Sequence, residues 1–173
     1  MPQKYVKKIL DARIYDLAIE TPVDAAPLLS KRLNNTVLLK REDLQPVFSF
    51  KLRGAYNKLR QLSKVERTGG VIAASAGNHA QGLALAAQKM GVDATIVMPK
   101  TTPRIKVDAV RGWGAKVILF GDNYNAAAEH ANQLVADEGL TYIHPFDDPD
   151  IIAGQGTVGM EILRQLPGDL DVI

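Results

Sequence analysis

The chain has 173 residues, no cysteine, 46% hydrophobic residues and a formal charge of +2 at pH 7. That length holds one domain or one and a half, with enough apolar side chains to bury a core. The composition excludes disulfides and thiolate metal sites. It also argues against nucleic-acid binding, since the Lys/Arg residues of 50–64 are not interleaved with stacking aromatics.

No apolar run reaches the roughly 18 residues of a membrane span. Residues 1–5 lack the apolar core of a signal peptide, so a soluble cytoplasmic protein is expected. In chain order, residues 4–12 read as a short helix with Tyr5, Ile9 and Ala12 on one face. Thr21-Pro22 and Ala26-Pro27 break the next segment, and residues 27–33 read as a short helix or turn. Thr36-Val37-Leu38-Leu39 is a predicted strand running into Lys40-Arg41-Glu42. A helix over 50–64 comes next, with Leu52, Ala55, Tyr56, Leu59 and Leu62 as its buried face and Ser49 as its N-cap.

From residue 70 the pattern is regular. Strands are predicted at 71–74, 94–98, 116–120 and 141–143. Between them lie helices at 79–90, stopped by Gly91, at 103–112, opened by Thr102-Pro103 and ended by Gly112 and Gly114, and at 124–136. This alternation predicts an α/β fold, a parallel sheet with helices on both faces in a Rossmann-like three-layer arrangement. Its ligand crevice is expected beyond the C-terminal strand ends. No GxGxxG is present, which disfavours a dinucleotide site. Residues 144–149 read as a loop. Ala153-Gly154-Gln155-Gly156-Thr157 leads into a helix to about Leu166, and Leu170-Asp171-Val172-Ile173 reads as the start of another strand.

Two stretches carry chemistry. Lys51 sits in the first turn of its helix, after the polar loop Gln45-Pro46-Val47. A helix N-terminus disfavours a cation, and Arg53 alongside is expected to ease proton loss further. A neutral, partly desolvated lysine amine forms a Schiff base with an aldehyde; a solvated lysine on an amphipathic helix reads the same way. The second stretch, Ser75-Ala76-Gly77-Asn78-His79-Ala80-Gln81-Gly82, turns tightly at a strand end and opens a helix. Gly77 lets the backbone approach a ligand, and free N–H groups there bind a phosphate or carboxylate. An ordinary turn capped by Ser75 fits the same spacing. Asn78 is either a turn residue or an amide donor to a ring oxygen.

The three histidines, His79, His130 and His144, have no metal-ligand spacing, so no metal is expected. No serine has the G-x-S-x-G setting of a hydrolase nucleophile. Glu161 is expected on a solvated helix face.

The run Lys40-Arg41-Glu42-Asp43-Leu44-Gln45-Pro46-Val47-Phe48-Ser49-Phe50-Lys51-Leu52-Arg53-Gly54-Ala55 closely resembles the cofactor-lysine segment of the threonine ammonia-lyases (threonine dehydratases), in the tryptophan-synthase-β-like family of pyridoxal phosphate enzymes. The Ser75 to Gly82 stretch and Ala153-Gly154-Gln155-Gly156-Thr157 resemble further motifs of that family, in the same order. The wording from Gln45 to Phe50 is similar to its biosynthetic branch. The resemblance implies that Lys51 holds pyridoxal 5′-phosphate covalently and, once released by the substrate amine, acts as base at Cα. Phe50 would pack near the pyridine ring and Asn78 would bond its phenolic oxygen. Ser75, Gly77, Asn78 and His79 would hold the substrate carboxylate, mainly through backbone N–H groups. The implied reaction takes L-threonine to 2-oxobutanoate and ammonia, the first step of isoleucine biosynthesis. Serine racemases of the family carry a second serine where this chain has Ala76, which argues against racemisation.

The resemblance also implies a domain plan: residues 1–53 in a larger domain, 54–150 as a smaller α/β domain, and 151–173 as the start of the rest of the larger one. Family members continue past a strand like Asp171-Val172-Ile173 into a glycine-rich loop that grips the cofactor phosphate. An incomplete N-terminal part with reduced cofactor affinity is therefore expected, from a homo-oligomeric parent. The alternatives are a non-catalytic α/β domain that associates with itself, a catabolic serine/threonine dehydratase, and a flavodoxin-like nucleotide-binding module.

Overall fold

The computed structural model describes residues 2–168 and 170–173. Helix α1 (Pro2–Leu10) is followed by strand β1 (Val23–Ala25), helix α2 (Pro27–Leu33), strand β2 (Leu38–Lys40), a 3₁₀ turn (Glu42–Leu44) and helix α3 (Lys51–Gln61). Helix α4 (Lys64–Thr68) leads into β3 (Val71–Ala74), α5 (Asn78–Met90), β4 (Ala94–Met98), α6 (Arg104–Gly112), β5 (Lys116–Leu119), α7 (Tyr124–Glu138), β6 (Thr141–Tyr142) and α8 (Pro149–Gln165).

Strands β3 to β6 form one parallel sheet in the order β5-β4-β3-β6. Side chains alternate across it, as strand geometry requires. Val71, Ala73, Ile96 and Met98 join the core shared with α3, α5 and α6, while Ile72, Ala74 and Val97 pack on Ala127 and Ala131 of α7. Both faces are therefore covered, which is why β3 and β4 read as unbroken apolar runs. The predicted α/β sheet is present.

Several boundaries differ for local reasons. The helix expected over 50–64 ends at Gln61, because Leu62 is extended and Ser63 begins a capping box: its hydroxyl accepts from the Glu66 amide, and the Glu66 carboxylate accepts from the Ser63 amide. Ser49 is not the cap residue of α3; that position is Phe50, although the Ser49 hydroxyl accepts from the Lys51 amide at 3.2 Å. The Ala153-Gly154-Gln155-Gly156-Thr157 run lies inside α8 rather than before it. Asp148 caps that helix by accepting from the Asp150 and Ile151 amides, and Pro149 takes a first-turn position. Strand β1 was not expected; it pairs antiparallel with β2, Val23 against Lys40 and Ala25 against Leu38. Residues 170–173 are not a strand, and Val172 and Ile173 are exposed.

Glycines set how closely the central helices approach. A Cβ on Gly154 would stand 2.5 Å from the Arg53 carbonyl oxygen and 2.6 Å from Gly54 Cα, so α3 and α8 cross backbone to backbone. A Cβ on Gly82 would stand 2.9 Å from the Leu52 nitrogen and 3.0 Å from the Lys51 carbonyl carbon, so α5 crosses α3 at its first turn. Among the described residues, a Cβ on Gly159, also in α8, would meet nothing within 4 Å. The two α8 glycines therefore respond oppositely to alanine. Gly154→Ala lowers unfolding stability by about 1–3 kcal/mol through overpacking. Gly159→Ala raises it by up to about 1 kcal/mol by restricting the unfolded chain. Urea denaturation of both variants checks the two signs.

Candidate active site

The site forms where the sheet changes direction. From β3 the chain crosses by α5 to β4 on one side, while β6, on the other side of β3, arrives from α7. Crevices form at such switch points, outside the carboxyl ends of the strands. The turn after β3 and the loop after β6 both lie there, and the first turn of α3 packs beside them through Gly82.

Ser75 leaves β3 with its amide bonded to the Val97 carbonyl, and its hydroxyl accepts from the Gly77 amide at 3.3 Å. Gly77 then occupies the N-cap position of α5, in a non-helical conformation, with no side-chain cap. A helix start without a cap leaves first-turn amides free to hold an anion. Ser75 therefore shapes the turn but does not cap the helix. Asn78, first residue of α5, is exposed.

His79 is 3% exposed, and its Nε2 lies 3.1 Å from the Ile143 carbonyl oxygen. A carbonyl only accepts, so Nε2 carries the proton and donates. Nδ1 is then a buried acceptor without a partner among the described residues. Burial above all pushes the ring down to about 4, against its hydrogen bond to Ile143 and with a smaller contribution from the nearby Lys51 charge.

Lys51 is half-buried. Its Nζ donates to the Pro145 carbonyl oxygen at 2.9 Å and lies 5.5 Å from the Phe50 ring centroid. Burial holds its proton affinity below that of an ordinary lysine. The neighbouring charge expected to do this does not. The Arg53 guanidinium, 0% exposed, points away into a buried network and is matched there by two carboxylates. Its Nε and Nη2 donate to the two Glu42 oxygens at 2.8 and 2.7 Å. Its Nη1 and Nη2 donate to the two Glu161 oxygens at 2.5 and 3.0 Å, and Nη1 reaches the Thr157 hydroxyl at 3.1 Å. Lys40 joins Glu161 at 2.7 Å and Tyr15 donates to it at 2.8 Å.

Glu161 is accordingly not on a solvated face; it is 0% exposed. Burial alone would raise its carboxyl, but the bonds from Arg53, Lys40 and Tyr15 hold it below the usual range. The sequence signal for its placement was the spacing of Ala153, Thr157 and Glu161 along one helix face. Two cavities of about 740 and 270 Å³ lie elsewhere, one beside β2 and residues 170–173, the other beside Trp113. Among the described residues no group of three or more His, Asp or Glu is placed to hold a metal ion.

The model of the family described as pyridoxal-phosphate dependent enzymes matches residues 14–173. The chain belongs to that family. Among relatives of this family member, the biosynthetic chloroplastic threonine dehydratase of Arabidopsis thaliana is 59% identical over 98% of this chain and 29% of its own length. The biosynthetic L-threonine dehydratase of Burkholderia multivorans is 58% identical over 98% of this chain and 34% of its own. Among solved structures, the processed form of threonine deaminase isoform 2 from Solanum lycopersicum superposes with a TM-score of 0.91 at 55% identity, over 95% of this chain and 45% of that one. The chain thus spans about a third of the length of these curated relatives.

The residues present fit the aldehyde end of the family's cofactor. Lys51 offers an amine with lowered proton affinity, and the uncapped start of α5 offers backbone donors for an acid group. Phe50 and Lys51 open α3, and α5, which Asn78 and His79 open after the turn at Ser75 and Gly77, crosses that first turn at Gly82. Sequence reasoning missed Pro145 as the partner of Lys51, Gly82 as the crossing point, and Glu42 and Glu161 as the counter-ions of Arg53.

Both buried charge and buried imidazole bear on stability. Glu161→Ala strands Arg53 and Lys40 in the core and destabilises the fold by about 3–5 kcal/mol, measurable by urea unfolding. For His79, the folded ring at about 4 lies below its ordinary 6.5. The unfolded chain therefore binds more protons between those values, and stability is full above 6.5 and falls toward pH 4. A shift from 6.5 to about 4 is worth roughly 3 kcal/mol. Chemical denaturation at pH 7, 6 and 5 should give a steeper decline for the native chain than for His79→Gln.

Proposed function

We propose that the protein carrying this chain is a lyase that deaminates L-threonine to 2-oxobutanoate and ammonia, serving isoleucine biosynthesis in the cytoplasm as a homo-oligomer. The observation that carries the reading is the half-buried Lys51 amine, its proton affinity lowered by burial, beside a helix start with no side-chain cap. The names of relatives 59% and 58% identical support the substrate.

In this reading the first-turn amides of α5, after Ser75 and Gly77, hold the substrate carboxylate. Phe50 would pack near the cofactor's pyridine ring and Asn78 would bond its phenolic oxygen. When bound at Lys51, pyridoxal phosphate supplies the electron sink for the pair left at Cα. Once the substrate amine has taken its place on the cofactor, the freed Lys51 amine would take the Cα proton and pass it to the β-hydroxyl, which departs as water. Hydrolysis of the remaining carbon–nitrogen bond regains that water and releases ammonia, so the atoms balance. Ala76 offers no second base on the opposite face, which supports elimination over racemisation.

The proposed domain plan assigns 54–150 to a smaller domain, with 1–53 and 151–173 in a larger one. Helix α3 runs through the 53/54 boundary and serves both. A second reading is favoured by the share of the relatives covered, 29% and 34%: this chain by itself is a folded, non-catalytic unit.

The test is reductive trapping. Pyridoxal phosphate with borohydride should label Lys51 stoichiometrically in the protein encoded by the full reading frame, and that protein should form 2-oxobutanoate from threonine. Lys51→Ala and Lys51→Arg should lose the label and about a thousandfold or more in turnover. Labelling at other lysines, or no turnover of threonine or serine, overturns the reading. Turnover by residues 1–173 alone overturns the second.

A further inference from the structure

The loop after β6 holds a device that neither the sequence pattern nor the proposed chemistry uses. The His144 Nδ1 accepts from the Asp147 amide at 2.7 Å and from the Phe146 amide at 3.3 Å. A ring nitrogen that accepts carries no proton, so the His144 ring caps this turn in its neutral form, with the proton on Nε2. The Phe146 N–H and the Pro145 C=O belong to one peptide unit. That unit is planar and trans, so its N–H and C=O point in opposite directions. The ring of His144 holds the N–H end. The other end accepts from Lys51 Nζ at 2.9 Å. One rigid plane thus links the imidazole to the amine.

The surroundings keep this linkage specific. The His144 ring meets Phe146 edge-on with centroids 4.6 Å apart and Tyr142 at 6.4 Å. The charged or titratable groups facing the turn are Lys51 from α3 and His79 from α5, with Asp147 and Asp148 in the loop itself. Lys58 engages Asp148 at 2.8 Å, which ties the loop's end to α3.

We propose that His144 is a positioning residue for the cofactor lysine: by fixing the Pro145–Phe146 peptide it aims the Pro145 carbonyl at Lys51 and keeps the amine half-buried, where it captures an aldehyde. This rests on the reading of Lys51 as the cofactor lysine. Without the cap the peptide is free to rotate, the amine loses its acceptor, and Lys51 swings toward solvent and behaves as an ordinary lysine. Asparagine restores the geometry, because its side-chain oxygen accepts the amide two residues on in an Asx turn.

The experiment measures the reactivity of Lys51, with two aldehydes. Residue-resolved reductive methylation with formaldehyde and cyanoborohydride is monitored against pH, with exposed Lys64 and Lys106 as internal references. A parallel arm uses pyridoxal phosphate. His144→Ala should slow Lys51 labelling about fivefold, the effect of one lost hydrogen bond, and move its pH midpoint upward toward the references. His144→Asn should return both to near the native values. Circular dichroism and urea midpoints establish that each sample is folded. If folded His144→Ala labels Lys51 at the native rate and with the native pH profile, the proposal is refuted. It is refuted equally if His144→Asn behaves as the alanine variant does, since a general packing role would give that result. Selectivity lost only in the pyridoxal phosphate arm refutes the cofactor reading and leaves the positioning role standing.

Discussion

The burial of the Arg53 guanidinium between Glu42 and Glu161 is the constraint on which the rest of this structure depends. A cation taken wholly out of water is tolerable only when countercharges and hydrogen bonds replace its hydration. Here the replacement comes from three separate parts of the chain: the 3₁₀ turn after β2, the inner face of α8, and the Ile19 carbonyl. Lys40 balances the second carboxylate, so two cations face two anions. Such a cluster is satisfied in one arrangement only. It sets the roll and axial position of α3, and Lys51 lies half a turn upstream on the same helix.

Glycines complete what the charges begin. Gly54 and Gly154 remove the side chains that would separate α3 from α8, and Gly82 removes the one that would separate α3 from α5. Close approach at Gly82 brings the first turn of α5 beside the first turn of α3. The crevice therefore has an amine on one side and uncapped backbone donors on the other. Its chemistry arises from placement: the lowered proton affinity of Lys51 comes from desolvation, because the nearest like charge is already neutralised by its own partners.

The sheet contributes the third wall. Strands β3 and β6 end side by side at the switch point, so the turn at Ser75 and the loop at His144 emerge together. His79 joins them directly through its bond to the Ile143 carbonyl, and the dry interior around that bond keeps the ring neutral. Membership of the pyridoxal-phosphate dependent family agrees with this arrangement, in which a single lysine is supported by backbone rather than by a cluster of acids and bases.

Much of this was legible in the residues themselves. The apolar runs at 71–74 and 94–98, the alternation of strands and helices, and the glycine stop after Met90 come from local periodicity, and local periodicity survives folding when both faces of a sheet are covered. The Lys51 and Ser75 stretches were recognisable because special backbone and chemical demands leave few residue choices. What tertiary structure alone decided is which distant groups met. Glu161 looked solvated because charged residues usually are, until two cations from elsewhere in the chain enclosed it. Arg53 looked like a neighbour of Lys51 because sequence distance is short, but its side chain points to the opposite side of the helix. Pro145 gave no signal at all, since the feature that matters there is a carbonyl oxygen, which every residue has, and only the path of the chain determines where it points.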